Sequence, residues 1–345
     1  MHMKLLFYIF LTFLPVYGQA QIERRAAFDI GSGAIKLLVA DVDTETQQVT
    51  KYLYGDSIKV PFSAYLAVRP DGSFGADLQA QTKTAIATLK HKAAPYHPQC
   101  FLGVATEAFR LAKNGQQLAA AIEEELGGPI YIISQSEEAE LGFASAVAHA
   151  NGDIERAIVW DIGNGSFQIS WKEFDAIHSY TGKLGKVPTK NIILTIQNKE
   201  IAENTSPNPI SQEETYLAKI ALTKQLQGIP ASLQQKLQTP RTQVYGIGGV
   251  HHKNIAVSTG KAVYTLSMVD ELLMNRLGLE DSSFGVLSST PYWVSDLVFV
   301  SCIMSHLGIQ EVLDVQSFDV PEIPVTGNTV GILIREKYWD TAISR

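Results

Sequence analysis

The chain has 345 residues, 46% apolar and 18% charged, with a formal net charge of −7. That is room for roughly two domains of about 150 residues each, with the composition of a globular protein that has a real core. The acidic balance excludes a general nucleic-acid-binding surface. A polyanionic substrate would have to be drawn in by a local cluster of Lys, Arg and backbone N–H groups.

Residues 1–20 read as a secretory signal peptide. Lys4 gives a positive start, residues 5–14 form an apolar stretch closed by Pro15, and small residues follow at Gly18 and Ala20. The stretch is shorter than the ~20 residues of a membrane span. The expected mature protein is therefore exported, periplasmic or secreted, with no membrane span. The absence of Cys near the cleavage site argues against a lipid anchor.

A first lobe is expected over residues 21–135. It opens with an apolar run ending Ala26-Ala27-Phe28-Asp29-Ile30-Gly31-Ser32-Gly33, followed by a second strand-like run over 34–40. Residues 48–60 continue the sheet. Residues 76–90 read as a helix with Leu78, Thr82, Ile86 and Leu89 on one face. A strand over 100–105, a helix over 116–126 stopped by Gly127-Gly128 and a strand over 130–133 complete the lobe. Cys100 and Cys302 both lie in apolar segments and are expected as unpaired core residues, and no Cys/His spacing resembles a zinc site.

A second lobe is expected over 136–325, with a final helix over 328–339 able to cross back to the first. It begins with a helix over 137–150, started by a capping box from Ser134 to Glu137. Strands over 157–161 and 167–171 follow, joined by Asp161-Ile162-Gly163-Asn164-Gly165-Ser166, a near copy of the first hairpin. Trp160 is expected to pack in the sheet. Residues 202–212 are polar and Pro-containing and suggest a surface insertion. Helices are expected over 213–226, 231–237, 267–277 and 294–307, and a strand over 311–315. The strand over 243–245 runs into a third glycine turn, Gly246-Ile247-Gly248-Gly249, and His251-His252 after it reads as a surface pair. Strands alternating with helices make this an α/β fold.

The repeated Asp-x-Gly-x-Gly spelling carries the chemistry. Glycine permits a close backbone approach, nests of N–H groups hold phosphate oxygens, and an Asp at the strand end can bind a hydrated Mg²⁺ beside them. Two such turns in one chain suggest a duplicated, two-lobed phosphate-handling fold.

These motifs, with Ala105-Thr106-Glu107-Ala108-Phe109-Arg110, Asn114 and Glu137-Glu138-Ala139, occur in an order and spacing that resembles the exopolyphosphatase / guanosine pentaphosphate phosphohydrolase (Ppx/GppA) family of the actin-like ATPase superfamily. The resemblance covers nearly all of the mature chain. It implies two actin-like (ribonuclease H-like) lobes with an interlobe cleft for a phosphate chain, and Mg²⁺ as cofactor. It also implies Glu138 as the group that activates water and Asp161 as the acid associated with metal and phosphate. Phosphate would be gripped by Gly31, Ser32, Gly33, Lys36, Arg110, Gly163, Asn164, Gly165, Ser166, Gly248 and Gly249, and the metal by Asp161, Gln168 and Asp29.

The chain departs from the family pattern at several positions. Gly33-Ala34 replaces Asn-Ser in the first turn, Gln168 replaces a Glu, Val250 replaces a Thr, and Glu140 replaces a basic residue. The reading is an exported phosphohydrolase acting on polyphosphate or a related phosphoanhydride. The alternatives are a non-catalytic polyphosphate- or nucleotide-binding protein and an actin-like kinase or ATPase. A homodimer is the oligomeric state to test for.

Overall fold

The computed structural model describes residues 21–202, 205–284, 291–318 and 328–343; the signal-peptide expectation for residues 1–20 lies outside them. Two mixed sheets organise the chain. The first has the order β3-β2-β1-β4-β5, built from β1 (Ile22–Ile30), β2 (Ala34–Asp43), β3 (Gln48–Lys59), β4 (Cys100–Ala105) and β5 (Ile130–Ile132). The second has the order β10-β11-β9-β6-β7-β8. Its strands are β6 (Ala157–Ile162), β7 (Phe167–Glu173), β8 (Ala176–Gly182), β9 (Gln243–Ile247), β10 (Val263–Thr265) and β11 (Glu311–Asp314).

Each sheet is laid down around the same unit. β1 pairs antiparallel with β2 and parallel with β4, and β6 pairs antiparallel with β7 and parallel with β9. Strand β8 was not foreseen from the sequence. It pairs antiparallel with β7, but only Tyr180 along it is buried, so it lacks an apolar periodicity.

The helices are α1 (Phe62–Ala67), α2 (Ala76–Ala93), α3 (Glu107–Leu111), α4 (Gly115–Leu126), α5 (Gln135–His149), α6 (Lys186–Ile196), α7 (Gln212–Gln225), α8 (Ala231–Gln238), α9 (Val257–Thr259), α10 (Leu266–Met274), α11 (Trp293–Leu307), α12 (Thr329–Ile334) and α13 (Glu336–Ile343). A π-helical stretch, Val250–Ala256, precedes α9. Helix α2 buries the predicted face, Leu78, Thr82, Ile86 and Leu89, against a core with Phe28, Phe62, Phe74 and Phe109. The second core gathers Trp160, Phe167 and Phe299.

Helix α5 ties the two sheets together. Leu141 joins the cluster of Ala27, Leu38 and Val104 on the first sheet, while Phe143, Ala146 and Val147 join Ala157 and Val159 on the second. Its N-terminus is capped as the sequence predicts: the Ser134 hydroxyl accepts from the Glu137 N–H, and the Glu137 side chain accepts from the Ser134 N–H. Helix α12 crosses α5 so closely that a Cβ on Gly331 would sit 2.3 Å from the Leu141 carbonyl oxygen.

Packing corrects one expectation and refines another. The final helix is broken into α12 and α13 at Arg335, whose backbone is extended. The break follows from side chains that capture the end carbonyls of α12: Arg25 donates to Leu333 O at 2.8 Å and Trp339 Nε1 to Ile332 O at 2.7 Å. Arg25 is fully buried, paired with Glu23 and Glu336 and stacked 4.8 Å over the Trp339 ring, which locks α13 to β1. The expected surface insertion is anchored rather than free. Ile210 is fully buried, Lys190 donates to Ala202 O at 2.8 Å, and Asn208 Nδ2 donates to Asp281 at 2.6 Å.

Candidate active site

The two glycine turns are built alike. In the first, Gly31 N–H donates to Ala34 O at 3.0 Å; in the second, Gly163 N–H donates to Ser166 O at 2.9 Å. In each, the carbonyls are taken by the chain that follows the third strand. Val60 N–H donates to Gly33 O and Ser63 N–H to Ser32 O, while Lys186 N–H donates to Gly163 O and Val187 N–H to Asn164 O. With the carbonyls tied down, the N–H groups of Ser32, Gly33, Asn164 and Gly165 make no hydrogen bond among the described residues.

Among the described residues a Cβ on Gly33, Gly165 or Gly249 would meet nothing within 4 Å, and none of the three has a positive φ. Neither backbone strain nor a neighbour within the chain calls for glycine there. An approaching ligand would, because it needs the backbone bare. Gly248 differs: its φ is +97°, and a Cβ would lie 3.3 Å from Asp161 Oδ1. The third turn is therefore pressed against the Asp of the second.

Below each turn sits the predicted Asp with its cross-strand neighbour, Asp29 opposite Lys36 and Asp161 opposite Gln168. Lys36 Nζ donates to Asp29 Oδ2 at 3.4 Å, and Asn328 N–H donates to the same oxygen at 3.2 Å. Asp29 Oδ1 is buried and has no hydrogen-bond partner among the described residues. Asp161 has no lysine across the ladder. Burial pushes its carboxyl up to about 6, with Lys36 opposing the rise and Asp29 adding to it.

Glu138 lies in the first turn of α5, with its side chain 22% exposed. Arg110, at the end of α3, donates to Glu138 Oε2 at 3.0 Å and to Ile133 O at 2.7 Å. Burial pushes the Glu138 carboxyl up to about 7; Arg110 opposes this, while Asp29 and Asp161 add to it. These influences place Asp29, Glu138, Asp161, Lys36 and Arg110 in one electrostatic unit spanning both sheets. A narrow cavity lined by Glu138, Asp161 and Gln168 also takes in Ser170, Phe143, Val159 and Ile247.

Sequence reasoning missed Ser170, Asn328 and the start of α6 at Gly185, whose Cβ would lie 2.7 Å from Gly163 O. Ser170 stands two residues past Gln168, a spacing that puts both on one sheet face, and that signal was available. Asn328 carries no motif. His251 and His252 are not a surface pair. His251 is fully buried, edge-on to Trp160 at 4.8 Å and hydrogen-bonded to Tyr264, and burial lowers its pKa to about 3. His252 Nδ1 pairs with buried Asp314 at 2.7 Å. Cys100 and Cys302 are free thiols, as expected. Among the described residues, no three His, Cys, Asp or Glu side chains are grouped to hold a metal ion, and no helix is long and apolar enough to cross a membrane.

Two sheets built on one repeated hairpin, with acidic strand ends meeting between them, define an actin-like two-lobed α/β protein. Solved structures agree on the fold. The Ppx/GppA family member of Aquifex aeolicus matches with a TM-score of 0.67 at 15% identity, covering 93% of this chain and 99% of that one. An exopolyphosphatase from Cytophaga hutchinsonii matches with a TM-score of 0.63 at 14% identity, covering 90% of this chain and 96% of that one. The sequence model of the Ppx/GppA phosphatase family matches residues 42–273, and the chain belongs to that family. Exopolyphosphatase 2 of Mycobacterium tuberculosis is 28% identical over 171 residues, 48% of this chain and 53% of the relative. The chain spans about half the length of the curated relatives it matches.

Proposed function

We propose that this protein is an exported phosphohydrolase that releases terminal phosphate from inorganic polyphosphate or a related phosphoanhydride, with Glu138 as the base that activates water. One observation carries the reading: Glu138, in the first turn of the helix that packs on both sheets, is paired with Arg110 at 3.0 Å, and burial raises its carboxyl to about 7, with Asp29 and Asp161 adding to the rise. A base with a pKa near the working pH is the effective one, and proton abstraction is worth about 10²–10⁴-fold. Phosphoryl transfer otherwise asks for positioning and charge neutralisation. The bare N–H groups of the turns, Lys36 and Arg110 supply these.

The donor set fits a hard divalent cation, Mg²⁺ in our reading. Asp29 Oδ1 is a buried carboxylate oxygen with no hydrogen bond among the described residues, and Asp161 lies within its field. Two carboxylates with substrate phosphates and water suit Mg²⁺, which seldom uses an all-protein cage. Asp29 and Asp161 would hold the ion, and when bound it would neutralise phosphate charge. Export, supported by the apolar stretch at 5–14, favours polyphosphate over a cytoplasmic nucleotide.

The second reading, a binding protein without turnover, draws on Gln168 standing where the family pattern has Glu. Phosphate release from polyphosphate by the purified protein, with and without Mg²⁺, separates the two. Mg²⁺-dependent release supports the hydrolase, whereas tight binding with no release at any Mg²⁺ concentration supports the binder.

A further inference from the structure

A small cavity lies beside Glu138, between α5 and the β6–β7 hairpin. It leaves about 10 Å³ for the centre of a water-sized sphere, which is the room one water molecule needs. Its walls divide in two. Ala139, Gly142, Phe143, Val159 and Ile247 are apolar, while Glu138, Asp161, Gln168 and Ser170 are polar. The ladder explains the polar side. Asp161 pairs with Gln168 and Val159 with Ser170, so all four point from the same face of the β6–β7 hairpin toward α5.

The half-buried Gln168 amide and the hydroxyl of Ser170, a residue only 3% exposed, line the cavity without a hydrogen bond among the described residues. A bound water normally makes two to four hydrogen bonds to polar groups of this kind.

We propose that this cavity seats one ordered water, held by Gln168 and Ser170 and presented to the Glu138 carboxylate. Gln168 and Ser170 are then positioning residues of the hydrolysis proposed above, on which this inference rests. An amide is well suited to the task, because it offers both a donor and an acceptor. In GTPases a glutamine orients the attacking water in this way. The neutral residue opposite Asp161 is then a functional part and not a lost cation ligand.

Gly142→Ala tests the cavity without endangering the fold. The added Cβ would make only ordinary contacts, 3.4 Å to Asn328 Oδ1 and 3.6 Å to Ile247 Cδ1, and it removes a glycine from a helix interior. The expected result is an unchanged or higher Tm with kcat lowered roughly 10- to 100-fold, the cost of misplacing a reactant by about an ångström, and KM unchanged. Gln168→Leu should lower kcat in the same way without altering the Mg²⁺ concentration for half-maximal rate, and Gln168→Glu, which keeps an acceptor oxygen, should recover part of the loss. A crystal structure of the wild-type protein should show density for one water between Gln168, Ser170 and Glu138, displaced in Gly142→Ala. A dry cavity in the wild type would overturn the proposal. So would a Gln168→Leu enzyme whose kcat is restored by added Mg²⁺, which would make Gln168 a cation ligand. A wild type that releases no phosphate defeats the hydrolase reading instead, and the density alone then decides whether the cavity holds water.

Discussion

In the hairpin of β1 and β2, Asp29 faces Lys36 across the ladder; in the hairpin of β6 and β7, Asp161 faces Gln168 at the corresponding position. The turns above them close with matching hydrogen bonds, and in each two carbonyls are taken by the chain after the third strand, at Ser32 and Gly33 in the first and one position earlier, at Gly163 and Asn164, in the second. The backbones are two copies of one glycine turn, and the side chains beneath them differ. Lys36 compensates Asp29 directly at 3.4 Å, and Asn328 N–H adds a second bond. Asp161 is left with burial and no cation across the ladder, and its carboxyl rises to about 6. Two copies of one turn thus set different surroundings for the same residue: in the first the Asp has a lysine partner across the ladder, and in the second it faces a neutral amide.

The largest effect is expected from Glu138→Gln, which removes the base without altering the turns. Turnover should fall by about 10²–10⁴-fold, while polyphosphate binding stays near wild type. The same variant should be more stable in alkali. Glu138 has a folded pKa of about 7 against an ordinary 4.5, so its contribution to stability is full below about pH 4.5 and lost as the pH climbs through about 7. Denaturant unfolding at pH 8 should show the variant gaining on the order of 1–2 kcal/mol over wild type, a gain that vanishes at pH 4.5. Equal stability at both pH values would mean that Glu138 is not held in a desolvated site.

Arg110→Ala should come next. It removes a charge-assisted contact worth about 1.5–3 kcal/mol if directed at a substrate phosphate, raising KM at low salt and less so at high salt. Arg110 opposes the rise of the Glu138 carboxyl. Its loss should therefore also move the acid limb of the rate profile to higher pH. A raised KM with an unmoved acid limb would separate Arg110 from Glu138 during the reaction.

The smallest and most pointed change exchanges the hairpins' side chains. Gln168→Lys would give the second hairpin the charge pattern of the first and pull the Asp161 carboxyl below about 6. Lys36→Gln would do the reverse, because Lys36 is the cation that opposes the rise of Asp161. Carboxyl titration by NMR reads both shifts. Opposite signs sustain the comparison, and shifts of one sign, or none, break it.

Much of this pair was legible in the sequence, because the Asp-Ile-Gly-x-Gly spelling occurs twice and each copy is flanked by strand-like runs. The capping box at Ser134 was equally plain, since both of its partners lie within one turn. What could not be read depends on partners far apart in the chain. The break between α12 and α13 comes from Arg25, 308 residues before Leu333. The burial of His251 depends on Trp160 and Tyr264, which reach it from two different strands. The Arg110 contact to Glu138 joins α3 to α5, and only the packed fold shows that the predicted phosphate grip also touches the predicted base.

If hydrolysis runs through the Glu138 carboxyl, which burial raises to about 7, the rate must follow the titration of that group. The direct measurement is the pH dependence of kcat/KM for phosphate release from polyphosphate at saturating Mg²⁺, wild type against Glu138→Gln. The account predicts a wild-type rate that rises with pH through about 7 and then levels, and no such rise in the variant. A wild-type profile flat from pH 5.5 to 8.5, roughly the range that brackets such a group, or wild-type rates from Glu138→Gln, would contradict it.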